Sequence, residues 1–474
     1  MRKKNMSTEK KQEQTTIDYR DYAIDEYVPI EGRYNGFKEM LSTWVCANAN
    51  PTSWYMGCTM GAMGIGGALL ASLVGNPIIY LILALVGLMG FRVASSTMGL
   101  ARVSFGITGS KLPSVINALQ FVGWCGVNTY IAALPLSSLL SSVFGTNPQS
   151  PKMILLSVTL ILLLSGMIAV FGGARLIALA QNIAVICLIA LSIWLTVRVF
   201  TVFSLSDILA WDLQSHPQNE AWSMSFGGAV DALGAFGFAW IMAVADYTRY
   251  SKTTASATVA PLLGATFGMC WFCIIGAVSS IAVAVMNGGL FDPNTADLGY
   301  ICTTLGMGQI ANVLIVVSTI AVNLINIYSG GFSTANVSKK FTPKASMIVI
   351  TIAAFLLALT PLVLGSFLDT FQIFLGYLGA VFPPCIAIMV VDYYLIRKKD
   401  YDIRRFSEKN GPYWYRGGIN WLTIFCWAAG VASYFIALKI PALSNTLGAV
   451  LFCFILTGVL YFITAKIRKQ TVQG

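Results

Sequence analysis

Charge is what this chain has least of: only 11% of its 474 residues are Asp, Glu, Lys or Arg. A soluble domain spends about 25% of its residues on charge, so a water-soluble globular protein is excluded. Histidine is reduced to one residue, His216. That leaves no imidazole set for a zinc centre or a histidine-based triad, and neither HExxH nor GxSxG occurs. Gly106 to Lys111 (GITGSK) faintly resembles a phosphate loop, but its spacing is wrong and no strand precedes it, so it reads as a glycine-rich turn. No repeated filter residues suggest a channel. No catalytic residue, metal ligand or bound cofactor is expected, and the chain is not read as an enzyme. No cleavable signal peptide is visible, and residues 1–35 are polar and charged, which reads as a disordered tail. The ten cysteines fall mostly in apolar stretches (Cys46, Cys125, Cys187, Cys385, Cys453), and Cys270 and Cys273 share one. They read as small packing residues.

What the chain has instead is apolar length. It is 56% hydrophobic with a mean hydropathy of +0.72. Stretches of about 20 apolar residues, enough to cross a bilayer, recur from end to end. Twelve spans are predicted, at 37–62, 64–91, 114–143, 153–171, 176–200, 226–247, 257–286, 308–335, 346–362, 367–395, 418–437 and 443–465. The fold class is therefore all-α integral membrane. The net charge of +10 does not indicate nucleic acid, because the basic residues sit in loops between spans. Nearly all fall on one side: Arg2 to Lys38, Arg92, Arg102, Lys111, Arg175, Arg249, Lys252, Lys339, Lys340, Lys344, Arg397 to Arg416, and Lys466 to Lys469. Only Lys152, Arg198 and Lys439 fall opposite, where the acidic loop residues Asp207, Asp212, Glu220, Asp292 and Asp297 lie. By the positive-inside rule both termini are expected in the cytoplasm, with the lipid bilayer as the immediate partner and the cytoplasmic membrane as the location.

Two spans carry interruptions. In the first, Asn48, Asn50 and Pro51 stand in the middle of WVCANANPTSWYMG. Proline lacks an N–H and clashes with the preceding turn, so the helix must break there. Asn50 suits the N-cap, and Pro51 the first position, of a second half-helix. Its free N–H groups need a cavity, because hydrocarbon cannot satisfy them. In the sixth, FGGAVDALGAFGFAW, the cluster Gly234–Gly237 followed by Phe236, Phe238 and Trp240 predicts an unwound, aromatic-lined segment. The alternative for these glycines is close helix packing. One broken span starts on the basic side and the other on the opposite side. This places the breaks at corresponding positions of two five-span halves of opposite topology, with a site between them.

Two more spans supply polar groups. Trp124 and Asn128 are four apart in GWCGVNTY, and Asn323 and Asn326 three apart in VNLINIYSGG, so each pair shares a helix face. An indole offers a flat apolar platform and an amide both a donor and an acceptor. The combination suits a planar heterocycle.

PTSWYMG (51–57), ARVSFGITGS (101–110), GWCGVN (123–128), ADYTRY (245–250), NLINIYSGG (323–331) and FPPCIAIMVVDYY (382–394) resemble the nucleobase–cation symporters, the permeases of cytosine, purines, uracil, thiamine, allantoin and hydantoins. The resemblance implies a LeuT-like fold: inverted repeats at 36–202 and 226–395, two accessory helices at 418–466 and a short tail at 467–474, with residues 36–466 forming the transporter domain. It implies a monomer working by alternating access, a bundle rocking against a scaffold. Trp124 would stack on the substrate with Asn128 beside it, and Asn323 or Asn326 would bond its edge. Asn48, Asn50 and Ser53 would lie close by. Counting back from Asp246 lands on Gly237, so Phe236, Phe238 and Trp240 are alternatives for the aromatic of the sixth span.

The function expected is secondary active import of a neutral, planar nitrogen heterocycle, cytosine or a purine base first. Allantoin, a hydantoin, a thiamine-precursor pyrimidine, a vitamin B6-type compound, or a transporter-like sensor are the alternatives. Sodium-coupled members of the family resemble one another in two hydroxyl residues just before the asparagines of the eighth span. Here those positions read Ala321 and Val322, with Ser318 and Thr319 a turn earlier. Asp231, a carboxylate inside a span, is a candidate proton carrier. A co-transported proton is therefore expected over sodium.

Overall fold

The structure is a computed structural model that describes residues 26–293, 298–337, 342–364 and 367–473. Arg2 to Arg20, Asp297, Lys339 and Lys340 lie outside the described residues. Among the described residues, ten helices are long and apolar enough to cross a membrane, and Trp421–Ala437 is a shorter apolar helix. One of the ten, Pro51–Val93, contains both the second half of the first predicted span and all of the second. All twelve predicted crossings are thus present.

They are numbered here by span: α1a (Phe37–Asn48), α1b (Pro51–Met60), α2 (Asn76–Val93), α3 (Lys111–Phe144), α4 (Pro151–Phe171), α5 (Gly173–Val202), α6a (Phe226–Ile241), α6b (Val244–Thr248), α7 (Val259–Met286), α8 (Gly308–Val337), α9 (Pro343–Ala358), α10 (Phe367–Val391), α11 (Trp421–Ala437) and α12 (Ala449–Gln473). The last runs through the stretch expected to be a short C-terminal tail.

The first span breaks as its sequence requires. α1a ends at Asn48, and α1b starts at Pro51 with Asn50 as its cap, φ −143° and ψ 168°. The Asn50 side-chain oxygen accepts from the Thr52 and Ser53 N–H groups at 2.9 and 3.0 Å, while its amide donates to the Ala47 carbonyl at 2.7 Å. One side chain therefore ties both half-helices.

The sixth span also breaks, but not at Gly234–Gly237. α6a runs unbroken through those glycines and the interruption is at Met242–Ala243. The glycines serve close packing instead: a Cβ at Gly234 would sit 2.6 Å from Val450 of α12, and one at Gly237 would collide with Ile79 of α2.

Small residues bind the spans into two bodies. A Cβ on Gly264 or Gly268 of α7 would meet the backbone of α1a at 2.6 Å (Leu41) and 2.9 Å (Val45), and one on Gly276 would strike the Trp54 carbonyl of α1b. Gly90 of α2 faces Ala245 of α6b equally closely, with Cβ contact at 2.6 Å. On the other side α3 and α8 run together: Gly330 lies against Phe121, Asn323 bonds Thr129 at 2.8 Å and Asn117 bonds Ser333 at 2.8 Å.

Residues 26–35 differ from the expected disordered tail. Val28 is fully buried and its N–H bonds Ala94. Tyr34 stacks on Tyr250 at 5.1 Å, and Asn35 pairs with Ser251 in a bridge closed by Asn35 N–H to Tyr250 and Lys252 N–H to Asn35, both 2.9 Å. Val28 and Tyr34 supply the apolar contact that docks this segment on Ala94 and Tyr250.

Candidate substrate-binding site

The two breaks face one another across a layer of buried polar side chains and aromatic rings. Trp124 of α3, 3% exposed, stands edge-to-face with Phe236 of α6a at 5.0 Å and Phe374 of α10 at 5.1 Å, with Phe371 at 6.3 Å. Phe236 meets Trp240 at 6.5 Å, and Trp240 meets Trp44 of α1a at 6.2 Å. Of the three aromatics left open by the sequence, Phe236 and Trp240 join this group. Phe238 points the other way, onto Phe454 of α12 at 5.4 Å.

The amides divide by how fully they are used. Asn48 accepts from the Tyr80 hydroxyl and donates to the Trp44 carbonyl at 3.0 Å, so both its ends are engaged. Asn50 and Ser53 belong to the cap of α1b. Asn128 accepts from the Thr52 hydroxyl, which links α3 directly to the break in α1. Asn323 donates to Thr129, but its oxygen has no partner, and Asn326 has none for either its oxygen or its nitrogen, although both residues are fully buried. Thr319, Asn323 and Asn326 share one face of α8, and the Thr319 hydroxyl is likewise buried and unpartnered. The indole N–H groups of Trp44 and Trp240 are the same. Each unpaired buried polar group costs about 1–3 kcal/mol, so this concentration of them is where a ligand with complementary edges gains most.

Both approaches to this layer are covered. On the side away from the basic loops, Tyr55, Phe367 and Phe371 pack at 5.3–5.9 Å, and Tyr130 stacks on Phe367 at 5.1 Å. On the basic side Trp44 packs on Tyr247 at 6.0 Å, and the Tyr247 hydroxyl bonds Ser329 at 3.1 Å. A separate groove of about 460 Å³ between α5 and α7 is lined by Ile193, Thr196, Val197, Trp271, Ile274 and Ile275 and shares no residue with this layer.

The sequence profile of permeases for cytosine/purines, uracil, thiamine and allantoin matches residues 27–460. The chain belongs to this permease family. Among its relatives, a putative purine-cytosine permease of Bacillus subtilis is 27% identical over 89% of this chain and 88% of its own length. The cytosine permease of Escherichia coli K12 is 24% identical over 85% and 87%. In fold the chain is similar to a nucleobase-cation-symport-1 family transporter solved in a closed conformation with bromovinylhydantoin bound. Its TM-score is 0.75 at 19% identity, with 94% of each chain covered. The permease thus has the LeuT-like, all-α membrane architecture, and its family is one of transporters and not of enzymes.

Two of the three candidates for the coupling chemistry, Asp231 and Ser318, stand apart from the aromatic group; the third, Thr319, lies on the face of the unpartnered amides. Asp231 of α6a accepts from the Ala449 and Val450 N–H groups at 3.0 and 2.8 Å. Its carboxylate thereby caps α12, where an anion meets the positive helix end. Ser318 donates to the Leu314 and Ile315 carbonyls at 2.8 and 2.9 Å. Ala321, one of the two positions lacking a side-chain oxygen, packs on Cys46 beside the break in α1.

Thr52, Thr129, Tyr80, Phe371 and Phe374 were not singled out from the permease sequence. Neither were Asn117 and Gln120, whose signal was present: they stand seven and four residues before Trp124, on its helix face.

Proposed function

We propose that this permease is an ion-coupled importer of a small, neutral, planar nitrogen heterocycle, with cytosine or a purine base the leading substrate. The observation that carries the reading is the pairing of a buried aromatic group around Trp124 with the unpartnered Asn323 oxygen and Asn326 amide between two helix breaks. Rings supply a stacking surface for a flat solute. Amides supply donors and acceptors for its edge, which is how a site discriminates between ring substituents. None of the gathered residues is charged, which disfavours an anionic substrate. The names of the relatives agree in class, since they include cytosine, allantoin and hydantoin permeases. Uptake of radiolabelled cytosine and adenine into proteoliposomes tests it: saturable, gradient-driven accumulation is expected, and binding without accumulation would instead make the protein a sensor.

For the driving ion the proposal is a proton, acting with both termini in the cytoplasm. Its support is the lack of side-chain oxygens at Ala321 and Val322 and the commitment of the Ser318 hydroxyl to backbone carbonyls. One observation favours sodium: Thr319 keeps a buried hydroxyl with no partner, and a hard cation seeks oxygen ligands. Uptake in sodium-free buffer under an inward proton gradient separates the two.

A further inference from the structure

The break in α6 strands two backbone carbonyls. In a continuous helix the Ala243 and Asp246 N–H groups would reach back to Ala239 and Met242. Here Ala243 N–H bonds Trp240 and Asp246 N–H bonds Ala243, both at 3.0 Å. The carbonyls of Ala239 and Met242 are met instead by α3. Gln120 Nε2 donates to Ala239 O at 3.0 Å, and Asn117 Nδ2 to Met242 O at 3.4 Å. The same two amides close a network. Gln120 Nε2 also donates to Asn117 Oδ1 at 2.8 Å, Asn117 Nδ2 to Ser333 Oγ of α8 at 2.8 Å, and Gln120 Oε1 accepts the Trp124 indole N–H at 3.1 Å. Asn117 is fully buried and Gln120 is 2% exposed.

From this geometry we infer that Asn117 and Gln120 are the latch that closes the basic-loop side of the site and that they position the Trp124 ring as they do so. The stranded carbonyls are satisfied by protein only while the hinge of α6 lies against α3 and α8. When these separate, water takes over both carbonyls and both amides. The hydrogen bonds therefore belong to the closed state alone, and they set its population relative to the open one. Because one amide holds both the hinge carbonyl and the indole, closure and orientation of the stacking ring are a single event. A solute that stacks on Trp124 then shifts the population towards closure, by as much as its differential affinity for the two states. This last step rests on the proposed substrate reading; the latch itself does not.

The test uses purified full-length protein with spin labels at Lys252→Cys, just after α6b, and Lys344→Cys, at the start of α9, both exposed positions on the basic side. Distances are measured by pulsed electron paramagnetic resonance without substrate, against protein lacking the introduced pair. Gln120→Met keeps the side-chain volume and removes its bonds, and Asn117→Leu does the same for its neighbour. Each should raise the longer-distance population at least tenfold over the parent. Parental distance distributions in both folded variants would overturn the latch. Should Gln120→Met not fold, Gln120→Asn, one methylene too short to hold both partners, decides by the same criterion. Saturating cytosine should restore the short distance in Asn117→Leu, where Gln120 still ties the Trp124 ring to the hinge. A latch effect that cytosine leaves unmoved would uphold the latch and count against the substrate reading.

Discussion

Replacing Trp124 with alanine removes a ring that stands against both α6a and α10, at 5.0 Å from Phe236 and 5.1 Å from Phe374. If a planar solute stacks on that ring, the loss should cost about 1–3 kcal/mol, the range for a base on an aromatic side chain. That is roughly tenfold to a hundredfold in Kd. The fold also loses packing, since a buried Trp→Ala change costs about 3–5 kcal/mol, so the assay must read binding on folded protein and not uptake alone. Trp124→Phe separates the two effects. It keeps a stacking face and most of the volume but leaves Gln120 Oε1 without its donor. Its Kd should therefore lie between parent and alanine variant. The measurement is equilibrium binding of radiolabelled cytosine to monodisperse protein in detergent, with thermal unfolding in parallel. A folded Trp124→Ala protein with parental Kd would remove Trp124 from the site.

Asn128→Leu and Asn323→Leu should each change the ranking of competing bases as well as weaken uptake, because a polar edge is read by groups that are costly to leave unpaired; an unchanged ranking in both would make these amides inter-helix ties only. Asn50→Ala should destabilise the fold by about 1–2 kcal/mol, the worth of a buried N-cap, while Asn50→Ser, which keeps the acceptor, should recover most of it; equal melting of the two variants would refute the capping role. Asp231→Asn should melt below the parent and still accumulate substrate under a proton gradient, since Asp231 is spent on the cap of α12; loss of gradient dependence with intact binding would instead put the coupled proton on that carboxylate.

The break in α1 was legible because its cause is local: proline cannot donate, and asparagine caps the helix that follows. The break in α6 was misplaced because its cause is not local. Met242 and Ala243 carry no breaking chemistry, and what accommodates the turn is the set of donors that Asn117 and Gln120 bring from α3, 125 and 119 residues away in sequence. Gly234 and Gly237 make room for Val450 and Ile79. Span number and the faces of Trp124, Asn128, Asn323 and Asn326 followed from length and helical period. Which asparagines are already committed did not: nothing in the sequence says that Tyr80 occupies Asn48, or that Asn326 is left unpaired. Residues 26–35 were read as tail from their charge, yet Val28, Tyr34 and Asn35 dock on the ends of α2 and α6b.

The central claim is that a neutral, planar heterocycle is bound between the two breaks and carried across the membrane. The direct measurement is accumulation of radiolabelled cytosine in proteoliposomes under an imposed inward proton gradient without sodium, with unlabelled purines, hydantoin, allantoin and an anionic pyrimidine carboxylate as competitors. The account predicts saturable accumulation above equilibrium, abolished by a proton ionophore, and competition by neutral flat rings but not by the carboxylate. Preferential accumulation of the anion, or binding of every neutral ring with no accumulation of any, would contradict it.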